Sequence, residues 1–399
     1  MRRMTLCVPA ALAIAITGCS PLSRKEAADS EKTEGPQAAE MNVEAGGRKA
    51  VKLSVPNPGQ TDHAQMLSAE ILPGRGMNIY QITAYLPGKG KVNMLASPPL
   101  DEGAKTLNGE TDPDGILSYS FGGAVLVPFA NRIRGKLSAD GKTITTTILG
   151  KTVTLDANSK GKKPGAIPHA MHGLILKSPM DSVKESTSND SASVTGTLDA
   201  GNFDGHWLSK TQLTIVDTLK PDSFGFTVTA KNVGDEDVPI GVGWHPYFAF
   251  PSGDREQARL HIPATERALV NNYDDVFPTG KLIPVAKTPY DFTAPGGAPL
   301  GKLYLDDAFV DLQKDAQSHA MVEIVDPAAK YGVRITAISP EISAFQAYAP
   351  VNKEFVAIEP QFNWADPFSP VWKSQKTGMV ILKPGQSVTY SVQVEVFVP

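Results

Sequence analysis

An acid closing an apolar run and a histidine set among aromatic rings are the two side chains of this sequence best suited to moving protons. The acid is Glu359, in Val356-Ala357-Ile358-Glu359-Pro360-Gln361, and the histidine is His245, in Gly243-Trp244-His245-Pro246-Tyr247-Phe248. Apolar neighbours at a strand end raise a carboxyl from its free value of about 4.3 towards the range useful to a general base, whereas a solvated surface position leaves it alone. Pro246 holds His245 extended, and Trp244 and Tyr247 are aromatic planes of the kind that cover the apolar faces of sugar rings. Read locally, the same aromatics also suit a core, with His245 bonded to backbone.

Three further clusters carry polar groups beside apolar runs. Asn131 and Arg132 follow the apolar stretch Gly123 to Phe129 and offer a fan of donors for hydroxyl oxygens or for a phosphate. His169 and His172 lie in His169-Ala170-Met171-His172-Gly173; histidines without neighbouring carboxylates or thiols make a poor zinc ligand set, so no metal is expected. Asp306 and Asp307 interrupt the apolar run Leu303 to Phe309, where alternation sends one to a pocket and the other to the outside.

The elements that must hold these groups read as strands. Period-two alternation recurs between Gly, Pro, Asn and Asp punctuation, as in strands half buried in a sandwich or barrel. Thr143 to Leu155 reads as a hairpin around Gly150-Lys151. Gln212 to Lys231 reads as another, broken at Pro221-Asp222, with Phe224, Phe226, Val228 and Ala230 on one face. After the turn Lys383-Pro384-Gly385-Gln386, alternation from Val388 to Val398 gives a long last strand. Prolines are spread through the region and no long 3.6-period stretch appears, which excludes a helical bundle or doubly wound sheet. The expectation is an all-β chain with one domain over residues 51–399.

The first residues carry a different message. Arg2 and Arg3 precede an apolar run, Leu6 to Thr17, too short for an ordinary membrane helix, which is the pattern of an export signal. It ends in Ile16-Thr17-Gly18-Cys19, which resembles the lipobox of bacterial lipoproteins. That resemblance implies a signal peptide over 1–18, lipidation of Cys19 and a place on the periplasmic side of a bacterial envelope; an ordinary signal would leave the chain soluble there. Residues 19–50 are polar, charged and poor in aromatics, and read as a flexible tether, with a short helix within Ser30 to Val43 ended by Gly46-Gly47. The only cysteines are Cys7 and Cys19, which removes thiol chemistry and structural disulfides from the mature chain. With 399 residues and a net charge of only -4, there is no basic field to hold nucleic acid or an anionic membrane. Membrane contact is expected through the lipid alone.

Taken in order, the clusters resemble the aldose 1-epimerase (galactose mutarotase) family over most of residues 50–399. The pieces are Ala130-Asn131-Arg132-Ile133, Met171-His172-Gly173, His245-Pro246-Tyr247-Phe248, Asp306-Asp307-Ala308-Phe309, Glu359-Pro360-Gln361 and Leu382-Lys383-Pro384-Gly385. Each alone is weak; six in register are strong. The resemblance implies a large antiparallel β-sandwich with an open sugar cleft. It further implies Glu359 as general base, His245 as general acid, Arg132, His172 and Asp306 as hydroxyl-binding groups, and Asn131 and Gln361 as supporting contacts. The substrate would be a free aldohexose of the glucose or galactose type, with no cofactor, in a monomer or dimer. Leu174 stands where many members have a second glycine, and Ala249 where asparagine is common, which leaves the preferred sugar open. The competing readings are a hexose 6-phosphate mutarotase and an envelope carbohydrate-binding protein without turnover.

Overall fold

A computed structural model describes residues 35–57, 61–110, 112 and 115–399. The expected signal segment 1–18, the expected lipidation site Cys19 and the first part of the expected tether lie outside the described residues.

Among the described residues, two large antiparallel sheets of twelve and nine strands make up the fold, with three small sheets, one short α-helix, Leu100–Thr106, and three 3-10 turns. The expected all-β sandwich is what forms. In the nine-stranded sheet, Thr211–Leu219 pairs with Phe224–Asn232, which pairs in turn with the last strand, Ser387–Phe397. Each buries alternate residues, so that Ile215, Phe226, Val228, Tyr390 and Val394 point into one core. The twelve-stranded sheet supplies the facing layer, with Leu53, Ile71, Trp244, Phe248, Phe345 and Ile358 in the same cluster. The Thr143–Ile148 and Lys151–Asp156 strands form the expected hairpin, turning on Leu149 and Gly150 at positive φ.

The start of the domain differs from the expectation. Residues 37–50 are not tether: Gln37–Ala45 and Arg48–Ser54 form a hairpin that joins the twelve-stranded sheet through Gln65–Leu72. Gly46 and Gly47, read as a helix stop, are the two-residue turn of that hairpin, with φ of 63° and 76°. A Gly-Gly pair supplies the left-handed angles that match strand twist. The first strand lies at the sheet edge with its polar residues largely exposed, while Met41, Val43 and Ala45 pack inward and Ala38 packs against the main core.

One residue contradicts the pattern of its strand. Asp217 takes a core position between Ile215 and Leu219, opposite Val194 and Phe226, and neither of its oxygens has a hydrogen-bond partner. Burial drives its carboxyl well above the usual carboxylate range. A raised folded pKa costs stability as pH rises above the unfolded value, because only the unfolded chain then releases the proton freely. Asp217→Leu is therefore expected to stabilise the fold by about 1–3 kcal/mol near neutral pH. The gain should be larger at pH 8 than at pH 4 in urea unfolding; a loss at both pH values would show that the carboxyl has a structural role.

Candidate active site

Strand register explains why residues far apart in sequence meet. Gly243–Ala249, Phe355–Gln361, Ala344–Ala349 and Leu305–Leu312 lie side by side in the twelve-stranded sheet. The pairs Gly243↔Gln361 and Tyr247↔Ala357 bracket His245 and set it across from Glu359, which in turn opposes Gln346. In the adjacent row, Tyr348 opposes Asp306. Cross-strand neighbours share a face, so His245, Glu359, Gln346, Tyr247, Tyr348 and Asp306 all stand on one side. Trp244, Phe248, Ile358, Phe345 and Phe309 fill the core on the other. This corrects the reading of the aromatics around His245: Tyr247 faces the cavity, while Trp244 is fully buried beside Phe226. Glu359 also lies within its strand rather than at its end, since pairing continues through Pro360 to Gln361.

Loops bring the remaining groups over this face. A short ladder pairs Arg132 with Met171, and the backbone N–H of His172 donates to Asn131 O at 2.9 Å. Asn131 and His172 both adopt left-handed φ, 62° and 64°, a strained choice for histidine that its surroundings must enforce. Gly173 follows at φ 78°, and a Cβ there would collide with the Val127 backbone, which accounts for the glycine of the His172-Gly173 motif. Asn363 fixes the approach to Asn131 by donating to Ala130 O and accepting from Ala130 N, both at 2.9 Å.

The result is a cavity of about 290 Å³ lined by Glu359, His245, His172, Arg132, Asp306 and Asn131, with Tyr119 and Tyr247 among its aromatic walls. All but one of the expected sugar-site residues border it. The exception is Gln361, which lies behind Glu359 and donates to its Oε2 at 2.8 Å.

His245 Nε2 lies 3.2 Å from Glu359 Oε1, and both side chains are almost fully buried. Burial first, and the Asp306 carboxylate second, push the Glu359 carboxyl well above the usual carboxylate range. Burial also pulls His245 down to about 4, below the free imidazole value of about 6.5. Between those two titrations the pair carries one proton, with His245 Nε2 and Glu359 Oε1 3.2 Å apart.

The groups expected to bind hydroxyls form a second network. Asp306 accepts from Gln346 Nε2 at 2.7 Å and from Arg132 Nη2 at 3.4 Å, and burial raises its carboxyl against those two contacts. Arg132 Nη1 donates to Asn131 Oδ1 at 2.9 Å, and Asn131 Nδ2 donates to Gln346 Oε1 at 3.1 Å. Gln346 thus links Asp306 to Asn131, a role its sequence neighbours gave no sign of. Arg132 Nε and His172 Nδ1 are buried without a protein partner. Asp307 is not outside, as alternation suggested, but fully buried, held by Arg267 and by the Tyr273 hydroxyl.

Comparison with known proteins bears on this arrangement. The family model described as aldose 1-epimerase matches residues 100–395. A galactose mutarotase-like protein from Clostridium acetobutylicum has a similar structure, with TM-score 0.70, 19% identity, and coverage of 91% of this chain and 98% of that one. The galactose 1-epimerase of Lactobacillus acidophilus is also similar, with TM-score 0.61, 15% identity, and coverage of 90% and 98%. Both likenesses establish the sandwich. The uncharacterized protein YphB of Escherichia coli strain K12 is 24% identical over 185 residues, 45% of this chain, so the match spans 57% of that relative's length.

Proposed function

The chain belongs to the aldose 1-epimerase family, and on that footing we propose that it interconverts the α and β anomers of a free aldohexose, with Glu359 and His245 as its proton-transfer pair. Family membership and the mutarotase-like fold support an epimerase or mutarotase role in general terms. The observation that carries the finer reading is the 3.2 Å His245–Glu359 contact inside a cavity lined by hydroxyl-binding groups.

Anomer exchange needs the pyranose ring opened and closed again. A base removes the proton of the anomeric hydroxyl while an acid protonates the ring oxygen; the C1–O5 bond breaks and the aldehyde forms. Rotation about C1–C2 presents the other face, and closure returns each proton to its source. A pair that shares one proton suits this cycle, because each half-reaction moves one proton on and one off without a net change. In the direction assigned here, Glu359 acts as carboxylate and His245 as imidazolium. The sugar's hydroxyls supply hydrogen bonds that favour this charged form, and Arg132 favours the Glu359 carboxylate within it while opposing the imidazolium. Gln361 steadies the carboxylate through Oε2, and Asp306, His172 and Arg132 hold the ring.

The test is catalysed relaxation of freshly dissolved α-galactose or α-glucose followed by polarimetry. The rate above buffer is expected to rise in proportion to protein concentration. A protein that binds the sugar in calorimetry yet leaves its anomers relaxing at the buffer rate would instead be an envelope carbohydrate-binding protein.

We also propose that the chain is exported and anchored through a lipid on Cys19, a reading supported by the basic and apolar run before Ile16-Thr17-Gly18-Cys19. In a bacterial host, fractionation is expected to find the wild type with membranes and Cys19→Ser outside the membrane fraction. Equal partitioning of the two would argue for a soluble periplasmic protein.

A further inference from the structure

We infer that the sugar taken by this cavity carries an anionic group at the end remote from its anomeric carbon, received by Lys160 and Lys162. The inference rests on the mutarotase reading for where the anomeric carbon sits. The lysines themselves rest on an independent observation.

The loop 159–163, Ser159-Lys160-Gly161-Lys162-Lys163, borders the same cavity as Glu359 and His245, and both Lys160 and Lys162 line it. The loop is held in shape by backbone contacts, and the Asp274 carboxylate lies close enough to feel the charges of Lys162 and Lys163 without a direct ion pair. Asp274 accepts the backbone N–H groups of Lys162 and Lys163, at 2.9 and 3.0 Å, and Asp275 accepts that of Ile167 at 3.2 Å. Gly161 packs so closely on the Asp274 carboxyl that a Cβ would collide with it. At the loop's base, Ser159 and His169 exchange backbone hydrogen bonds of 2.9 and 3.2 Å.

Charge around the cavity is otherwise committed. Asp306 is taken by Arg132 and Gln346, Glu359 by His245 and Gln361, and both oxygens of Asp274 by backbone N–H groups. Among the described residues, neither Lys160 nor Lys162 makes an ion pair. Lys160 and Lys162, neither in a direct ion pair, outnumber the one carboxylate beside them, Asp274, at the exposed rim, and so attract an anion and discriminate against a neutral ligand. The group could be a carboxylate, a phosphate or a sulfate, all of which accept hydrogen bonds from ammonium. These lysines lie outside the six motifs of the sequence.

The experiment compares kcat/KM for galactose, galacturonate, galactose 6-phosphate and galactose 6-sulfate, in the wild type and in the Lys160→Gln/Lys162→Gln double variant. At least one anionic sugar is expected to exceed galactose by about tenfold or more at low salt, and the best of the three identifies the anion. That ratio should fall towards one in the double variant and in 0.5 M salt, since contacts at an exposed rim are screened. A ratio near one in the wild type, or one that survives the double substitution, overturns the inference. Calorimetry of the same four sugars separates this failure from that of the mutarotase reading. Tighter, lysine-dependent binding of an anionic sugar without turnover keeps the inference and sinks the mutarotase; turnover of galactose with no anionic preference does the reverse.

Discussion

Glu359→Gln is expected to lower kcat for anomer exchange by about three orders of magnitude or more, while calorimetry still finds the sugar bound within a few-fold of wild type. The amide keeps the size of the carboxyl and its place between His245 and Gln361, but cannot take up a proton. General acid–base assistance accounts for about 10²–10⁴ in rate, and here one substitution removes the base and also the acceptor that shares its proton with His245. A factor of 10³ corresponds to about 4 kcal/mol of lost transition-state stabilisation. Binding should survive because Arg132, His172 and Asp306 are untouched. A variant within tenfold of wild-type kcat would remove Glu359 from the reaction; loss of both kcat and binding would make it a ligand-holding group.

The second large effect concerns His245 and pH. With the imidazole pulled down to about 4 by burial and the carboxyl of Glu359 pushed up, the one-proton pair spans the range between those two titrations. Below about pH 4 a second proton enters on His245, and activity falls; above the raised value of Glu359 the shared proton is lost, and activity falls again. The profile of kcat/KM is therefore expected to have an acid limb near pH 4 and no step near 6.5, where a free histidine titrates. His245→Asn should cost about 10²–10⁴ in kcat and remove that acid limb. An inflection near 6.5 in the wild type would mean that His245 is solvated when free, contrary to its burial.

Much of the fold was legible because its strands carry their own evidence. The alternation of Phe224, Phe226, Val228 and Ala230, or of Val388 to Val396, needs no tertiary information to be read, and both segments bury those residues as expected. The opening hairpin was not legible, because a short edge strand rich in exposed polar residues looks like a tether until its partner strand is known. Gly46-Gly47 fits a helix end and a hairpin turn equally well in sequence.

The site divides along a similar line. Glu359, His245, Arg132, His172, Asp306 and Asn131 were recoverable only through the order of six motifs, since no local property of His245 separates a core histidine from one facing a cavity. What decides it is register, which turns His245 and Tyr247 one way and Trp244 and Phe248 the other. Gln346, Tyr119, Lys160 and Lys162 carried no such signal, because they reach the cavity from strands and loops whose local sequences are ordinary. The perturbed titration of the central pair was half anticipated. Burial raises the carboxyl as apolar neighbours suggested, but the histidine is as deeply enclosed and moves the opposite way.

The measurement that bears most directly on the central claim is a crystal structure of the protein with an aldohexose bound. The account predicts Glu359 and His245 each within hydrogen-bond reach of the sugar, one at the anomeric oxygen and the other at the ring oxygen, with Arg132, His172 and Asp306 on the remaining hydroxyls. A sugar bound in the cavity with its anomeric carbon turned away from this pair, or with either group beyond hydrogen-bond reach of the two oxygens, would contradict it.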